Sequence, residues 1–210
     1  MQKKPLKYIL IIVVVALLGY KSVYFKKLDE RKQTTNQKFD ATGFTQKLWK
    51  EKLPAKLDSA IELSALVDQI KSNPMAAFDK YSNTMAIGNY RYSLVKTSGI
   101  VTAVNEDEVM LEVPTATGIM NVTIATEFIY GNAIRDASKL VDVRDFTNST
   151  DLSGISEALN NTVRKEVLPP FKSAVKKGDK VVLVAAVEIN KEHIKLDGLE
   201  LIPVQIKILP

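Results

Sequence analysis

The sequence predicts an α+β protein in which an N-terminal transmembrane helix and a helical neck precede an OB-like antiparallel β-barrel with an inserted helix. Three observations predict this. An unbroken apolar run lies near the N-terminus, apolar residues then recur at helical spacing as far as Tyr81, and from Tyr90 the apolar period drops to two. The predicted segments are a membrane anchor over residues 1–25, a polar linker and helical neck over 26–88, and a barrel domain over 89–210.

The composition sets limits on the chemistry of the chain. Its 210 residues are 46% hydrophobic and 25% charged, which supports a folded core and excludes wholesale disorder. The chain contains no cysteine, so disulfide scaffolds, thiol nucleophiles and cysteine-ligated zinc are excluded. A metal centre or a catalytic triad would have to use the single histidine, His193. We therefore expect no metal site and no cofactor.

The basic charge belongs to the N-terminal segment. Residues 1–40 carry nine of the 29 basic side chains and three of the 24 acidic ones, a local charge of +6. The remaining 20 basic and 21 acidic side chains give −1 for the rest of the chain. A nearly neutral body would gain little from the counterion release that dominates non-specific binding of nucleic acids. We therefore expect no nucleic-acid partner.

The N-terminus has the features of a membrane anchor. The apolar run Tyr8–Tyr20 is short, but the 20 residues from Leu6 to Phe25 are long enough to span a bilayer. A cleaved signal peptide is the alternative, although the usual small-x-small cleavage site is missing. The tract Leu17-Leu18-Gly19 resembles a lipoprotein box, but Tyr20 stands where the acylated cysteine would be. An uncleaved signal anchor that contacts the bilayer through residues 6–25 is the interpretation we favour.

Two features of the sequence favour opposite orientations of this anchor in the membrane. Lysine and arginine residues on the C-terminal side of the apolar run favour a cytoplasmic body by the positive-inside rule. The very short basic head instead resembles an export signal. The family resemblance given below favours the second signal, so we expect a single-pass protein of the bacterial plasma (inner) membrane. Its body then faces the periplasm or the cell exterior.

The body divides into helical and strand-like segments. Leu53, Leu57 and Ile61 recur at helical spacing after Phe44 and Leu48, and Asn73-Pro74 ends one predicted helix and caps the next. Three predicted strands follow, with Gly99 at a bend in the first. A helix capped near Asp151 and ended by Pro169-Pro170 comes next. The final strands are KVVLVAAVEI and a pair near residues 193–196 and 200–208. This order is that of an OB barrel, and a β-sandwich is the alternative.

Several tracts resemble a known family. The loop after the third strand contains two Arg-Asp tracts, one after the other. These tracts, and others before and after them, occur in the same order in the family that the chain resembles. They are Leu48-Trp49, Ser98-Gly99-Ile100-Val101, Gly131-Asn132-Ala133-Ile134-Arg135-Asp136, Val143-Arg144-Asp145-Phe146-Thr147-Asn148, Ala158-Leu159-Asn160, Lys177-Gly178-Asp179-Lys180-Val181 and Ile202-Pro203-Val204. Over residues 40–205 the chain thereby resembles a family of bacterial predicted periplasmic lipoproteins with a domain of unknown function. The resemblance implies an extracytoplasmic protein, often encoded beside sugar-import ABC transporters, with no assigned activity.

The Arg-Asp loop supplies the candidate binding residues. Arg135 offers a planar fork of donors to a carboxylate, a phosphate or sugar hydroxyls, and Asp136, Asp145 and Asn148 can accept or bridge hydroxyl groups. The structural alternative is that the arginines pair with neighbouring aspartates to hold a long connection in place, with Asn148 or Asp151 capping the helix.

The sequence thus predicts a membrane-anchored extracytoplasmic protein that binds a ligand or a partner of unknown specificity and serves a sugar ABC transporter. One alternative is a structural envelope module that contacts another envelope protein and binds no small ligand. A carbohydrate-active enzyme is the third hypothesis. We expect no enzyme, because no catalytic constellation can be assembled from the sequence.

Overall fold

The computed structural model describes residues 39–85 and 87–210. The predicted anchor at residues 6–25 and most of the predicted polar linker lie outside these residues. Within the described part of the chain, no helix is both long enough and apolar enough to cross a membrane.

The helices fall into two groups, one before and one within the strand region. The first group ends at Tyr81, before the long strands, and the second lies between residues 133 and 174. Their bounds are Ala41–Lys47 (α1), Leu53–Asp58 (α2), Leu63–Ser72 (α3), Pro74–Tyr81 (α4), Ala133–Ser138 (α5), Ser149–Thr162 (α6) and Leu168–Ala174 (α7). The predicted helix cap at Asn73 is confirmed, because its side-chain oxygen accepts the backbone N–H of Ala76 at 3.2 Å.

In the part of the chain that the structure describes, five long strands form a closed ring. They are Tyr90–Val104 (β2), Glu108–Thr115 (β3), Gly118–Ala125 (β4), Lys180–Asn190 (β5) and Leu199–Leu209 (β6), preceded by the two-residue strand Ile61–Glu62 (β1). The hydrogen-bonded order is β2-β3-β4-β6-β5, and β5 pairs with β2 to complete the ring. The predicted order of three strands, a helical connection and further strands is therefore confirmed.

Gly99 lies where β2 changes partner. Up to Ile100 the strand pairs with β5, and from Ile100 onward it pairs with β3. A Cβ atom at Gly99 would lie 2.3 Å from the backbone oxygen of Glu112 on β3. The close approach of the two backbones therefore requires glycine, as the predicted bend implies.

The helices before the strands share one core with the sheet. Leu63, Leu66 and Ile70 of α3 are almost completely buried and pack in the same apolar cluster as the strand residues. Residues Asp40–Pro210 accordingly form one compact unit. The helices and the strands thus share one core, because an amphipathic helix buries its apolar face on the nearest apolar surface.

Two helices continue through prolines. A wide π-helical turn, Leu48–Lys52, joins α1 to α2, and a second, Val163–Val167, joins α6 to α7. A proline ring clashes with the carbonyl four residues earlier, and for Pro54 and Pro170 that carbonyl lies within the π turn. We infer that the wider turn accommodates the ring, so the helix does not stop. The predicted helix end at Pro169-Pro170 is thus wrong.

Three further details differ from the sequence prediction. β4 and β6 pair in parallel, so the sheet is not antiparallel throughout. The segment 193–196 is a loop and not a strand. The tract around Arg135, which the sequence presents as a loop, forms α5.

Candidate functional site

Arg135 and Asp136 lie inside the protein. All six residues of α5 are buried, and the helix packs against β2, β5 and α6. Arg135 is 6% exposed and Asp136 is 1% exposed. The two side chains that the sequence assigned to a ligand are thus shielded from solvent by the elements that surround α5.

The contacts of this pair hold three segments together. The Nε of Arg135 donates to Oδ1 of Asp136 at 2.7 Å, and its Nη1 donates to the carbonyl oxygen of Leu152 in α6 at 3.2 Å. Asn83, in the segment before β2, donates from Nδ2 to the carbonyl oxygen of Asp136 at 2.9 Å. These contacts match the structural alternative, in which the arginine pairs with a neighbouring aspartate and holds a long connection in place.

The electrostatic influence of the pair reaches Tyr92 on β2. Burial is the largest cause that raises the pKa of the Tyr92 hydroxyl well above its ordinary value. The carboxylate of Glu188, directly opposite on β5, raises it further, and Asp136 adds a smaller rise that Arg135 opposes. The Tyr92 hydroxyl therefore stays protonated.

The second Arg-Asp tract lies at the surface. Arg144 donates from Nη2 to Oδ2 of Asp142 at 2.5 Å, and its backbone N–H donates to Oδ1 of the same carboxylate at 2.9 Å. These hydrogen bonds lower the pKa of Asp142 from its ordinary value to about 2. Asp145 is exposed beside this pair and lines a cavity of about 370 Å³.

Asn148 has a structural role at the start of α6. Its Oδ1 accepts the backbone N–H of Asp151 at 2.9 Å, so Asn148 is the N-cap of the helix. The structure therefore brings Arg135 and Asp136 together but leaves Asp145 and Asn148 on the surface. Ligand binding by these four residues stays a prediction.

A groove on another side of the body combines aromatic, apolar and polar side chains. It has a volume of about 420 Å³ and lies between the turn that joins α1 to α2, the turn that joins α6 to α7, and strand β6. We call it the Trp49 groove. Its lining residues are Trp49, Leu53, Pro54, Leu57, Asp58, Glu166, Val167, Pro170, Val204, Gln205 and Ile206.

The two π turns build the sides of the groove. Trp49 belongs to the first π turn, and Glu166 and Val167 belong to the second. A π turn offsets the side chains that follow it from the regular helical face, and such turns are frequent at functional sites. Trp49 is partly buried and lines the groove.

The polar members of the groove can accept and donate hydrogen bonds. Asp58, Glu166 and Gln205 are exposed and stand beside the apolar floor. Carboxylates accept from hydroxyl groups, and a carboxamide both accepts and donates. An apolar floor with a few polar groups is the usual composition of a small-molecule site.

Sequence reasoning missed this groove. Trp49 is the only tryptophan of the chain, but on a helical face a lone tryptophan is more often a core residue than a ligand platform. The prolines at 54 and 170 were a usable signal, because each interrupts an otherwise helical pattern. The meeting of these two helices could be known only from their packing.

The family of the chain is shown by a match over most of its length. The sequence profile described as "Predicted periplasmic lipoprotein (DUF2291)" matches residues 13–207. The chain therefore belongs to this family, as the resemblance implied. None of the 210 residues is a cysteine to which a lipid could be attached.

Comparison with solved structures supports the fold. An OB-fold protein from Thermotoga maritima is 22% identical and superimposes with a TM-score of 0.72, over 82% of this chain and 100% of that chain. At this identity the likeness shows the fold alone, and it confirms the OB-like architecture. The Stn1–Ten1 complex of S. pombe matches at 13% identity, over 55% of this chain and 57% of that chain, with a TM-score of 0.26 that carries no argument. No curated protein matches the chain.

Proposed function

We propose, from membership in this family and from the composition of the Trp49 groove, that the chain is a membrane-anchored extracytoplasmic binding protein. Its groove takes a small polyhydroxylated ligand of the sugar class. The observation that carries the proposal is the placement of the only tryptophan beside two carboxylates and a carboxamide in one groove.

The chemistry of a sugar matches both kinds of side chain. A pyranose ring has an apolar face of C–H groups, which packs on the flat indole of Trp49. Its hydroxyl groups lie around the edge of the ring, where Asp58 and Glu166 can accept and Gln205 can donate. Because these polar side chains are exposed, they keep their hydration until a ligand replaces it, so the empty groove carries no large desolvation cost.

The proposal assigns no catalytic step to the groove. A glycosidase needs one carboxyl group shielded from water to act as a general acid, beside a second carboxylate. Asp58 and Glu166 are both exposed. Binding without turnover fits this arrangement, and an accessory role beside a sugar-import transporter of the same membrane is the physiological setting that we propose.

The single tryptophan supplies the test. In the full chain, kept in a non-ionic detergent, the fluorescence of Trp49 reports the groove directly. Titration with a panel of mono- and disaccharides is expected to change the emission with at least one sugar, and that sugar should also raise the melting temperature. At 100 times the dissociation constant the stabilisation is about 2.7 kcal/mol.

Two variants separate binding from non-specific effects. Gln205→Ala removes a polar group of the groove without touching the indole, and it should weaken the affinity for that sugar by about fivefold to tenfold. Glu106→Gln, at the exposed turn between β2 and β3, is the control and should leave the affinity unchanged. A panel in which no sugar moves either readout would contradict the proposal.

An apolar stripe on the outer face of the sheet favours the second candidate function, a module that docks on another envelope protein. Val182 on β5 and Ile100 on β2 are exposed, and they are diagonal neighbours because Ile100 pairs with Lys180. Leu209 on β6 and Met110 on β3 extend the exposed apolar surface to either side. If every sugar fails, this surface becomes the site to examine.

A further inference from the structure

A small cavity on the body is lined by three lysines. It has a volume of about 180 Å³ and lies where α2, α4 and α5 end. Lys56, Lys80 and Lys139 line it together with Ser59, Tyr81 and Leu94. We call it the lysine cavity, and it shares no lining residue with the Trp49 groove.

The cavity has positive charge without a matching carboxylate. Among the described residues, none of the three lysines has an acidic side chain within ion-pairing distance, and no acidic residue lines the cavity. Lys139 also lines the neighbouring cavity, together with Asp142 and Asp145. Asp142 is paired with Arg144, and Asp145 is not within ion-pairing distance of Lys139. The ammonium group of Lys80 lies 4.9 Å from the centre of the Tyr81 ring. The like charges of Lys56 and Lys139 repel one another, which costs stability in the empty protein.

Lys139 shows this cost most directly. Partial burial is the largest cause that lowers its pKa, and the charge of Lys56 is the second. Lys139 also has a left-handed backbone with φ of 55°, the only positive φ at a residue other than glycine in the described chain. Glycine or asparagine usually occupies this position after a helix, so the backbone of Lys139 is strained.

Helix dipoles explain only part of the arrangement. The C-terminal residues of all three helices line the cavity, and a cation near a helix C-terminus is stabilising. Each dipole contributes roughly half a negative charge. Three full positive charges therefore exceed what the helix ends can compensate, and the excess is available to a ligand.

From this cluster we infer that the lysine cavity binds a tetrahedral oxyanion, the phosphate group of a phosphorylated small molecule or of a lipid headgroup. A dianionic phosphate can accept hydrogen bonds from several ammonium groups at once, which a single side-chain carboxylate cannot do to the same extent. The volume of the cavity admits such a group but not a large organic ligand. The inference does not depend on the Trp49 groove.

The test measures binding of inorganic phosphate to the full chain in a non-ionic detergent, by calorimetry and by thermal shift. The wild-type protein should bind phosphate and gain melting temperature, and added sodium chloride should weaken the binding. Lys139→Gly suits the left-handed backbone and removes one ammonium group. It should lower the phosphate affinity about fivefold or more.

A control variant and the stability of the empty protein complete the test. Lys207→Gln removes one exposed positive charge from β6, away from the cavity, and should leave the phosphate affinity unchanged. Without phosphate, Lys139→Gly should keep or raise the melting temperature, because it relieves both repulsion and backbone strain. If the lysines serve only the helix ends, Lys139→Gly lowers the melting temperature and the wild-type protein binds no phosphate. That result would overturn the inference.

The source of the phosphate is decided by two further ligands. Glycerol 3-phosphate represents a soluble metabolite, and dihexanoyl phosphatidic acid represents a lipid headgroup in soluble form. Tighter binding of the first assigns the site to a metabolite, and tighter binding of the second assigns it to a lipid. If neither binds more tightly to the wild-type chain than to Lys139→Gly, the inference is wrong.

Discussion

Two arginine–aspartate pairs lie within ten residues of one another and have opposite settings. Arg135 and Asp136 are 6% and 1% exposed, whereas the side chains of Arg144 and Asp142 are 85% and 41% exposed. Both pairs are close, at 2.7 Å and 2.5 Å between nitrogen and oxygen. The residue types and the distances are therefore nearly the same, and burial is what differs.

This difference teaches what an ion pair contributes at each place. In the exposed pair, water solvates both charges almost as well as each partner does, and salt screens their attraction. In the buried pair, water is replaced by protein, so each charge depends on the other and on the backbone groups around it. Removing one charge of the buried pair therefore leaves the other buried without a partner, whereas the exposed pair is a local feature of one turn.

The largest expected effect comes from breaking the buried pair. Asp136→Ala leaves the guanidinium of Arg135 buried without its partner, and the free energy of unfolding should fall by about 3–5 kcal/mol. Urea denaturation of the full chain, followed by circular dichroism, measures this loss. Asp142→Ala is the matched control and should lower the denaturation midpoint at neutral pH by much less, because the exposed pair is solvated and screened. Equal losses in the two variants would remove the distinction between the pairs.

A smaller effect is expected when both buried charges are replaced together. Arg135→Met combined with Asp136→Leu leaves no isolated charge and keeps apolar volume in place. Replacement of a buried ion pair by apolar side chains is often neutral or stabilising, so the double variant should recover most of the stability lost in Asp136→Ala. The same denaturation experiment decides this. A double variant as unstable as the single one would mean that the hydrogen bond from Arg135 to α6 matters more than the charge pair.

The smallest effect concerns the exposed pair and its pH dependence. Arg144→Gln removes the guanidinium that lowers the pKa of Asp142, so that pKa should rise from about 2 towards its ordinary value of 3.8. Because the pKa is depressed in the folded protein, the pair stabilises above pH ~4, and this contribution is lost as the pH falls towards 2. NMR titration of the Asp142 carboxyl carbon in the two proteins measures the change. An unaltered midpoint in Arg144→Gln would assign the low pKa to the backbone N–H alone.

Local sequence patterns were sufficient for most of the secondary structure. The change of apolar period near Tyr90 predicted where helices give way to strands, and the structure confirms it. Gly99 was identified as a bend because it lies within a strand-like pattern, and Asn73 was identified as a helix cap because it precedes a proline. Each of these features depends on residues only a few positions away, which is why one sequence is enough to find them.

Other features depended on contacts between distant segments. In the sequence, Arg135-Asp136 and Arg144-Asp145 are similar polar tracts. The first is buried because the helix that contains it packs against β2, β5 and α6. The two helices also continue past Pro54 and Pro170, although a proline usually ends or kinks a helix. In each of them a π turn comes directly before the proline.

The sequence by itself determined the family, the order of helices and strands, and the glycine at which β2 bends. The tertiary structure decided which charges are buried, where the Trp49 groove and the lysine cavity form, and that β4 and β6 pair in parallel. The physical reason is the separation along the chain of the residues that interact. Backbone conformation follows largely from neighbouring residues, whereas burial and the meeting of side chains from separate elements follow from how the whole chain packs.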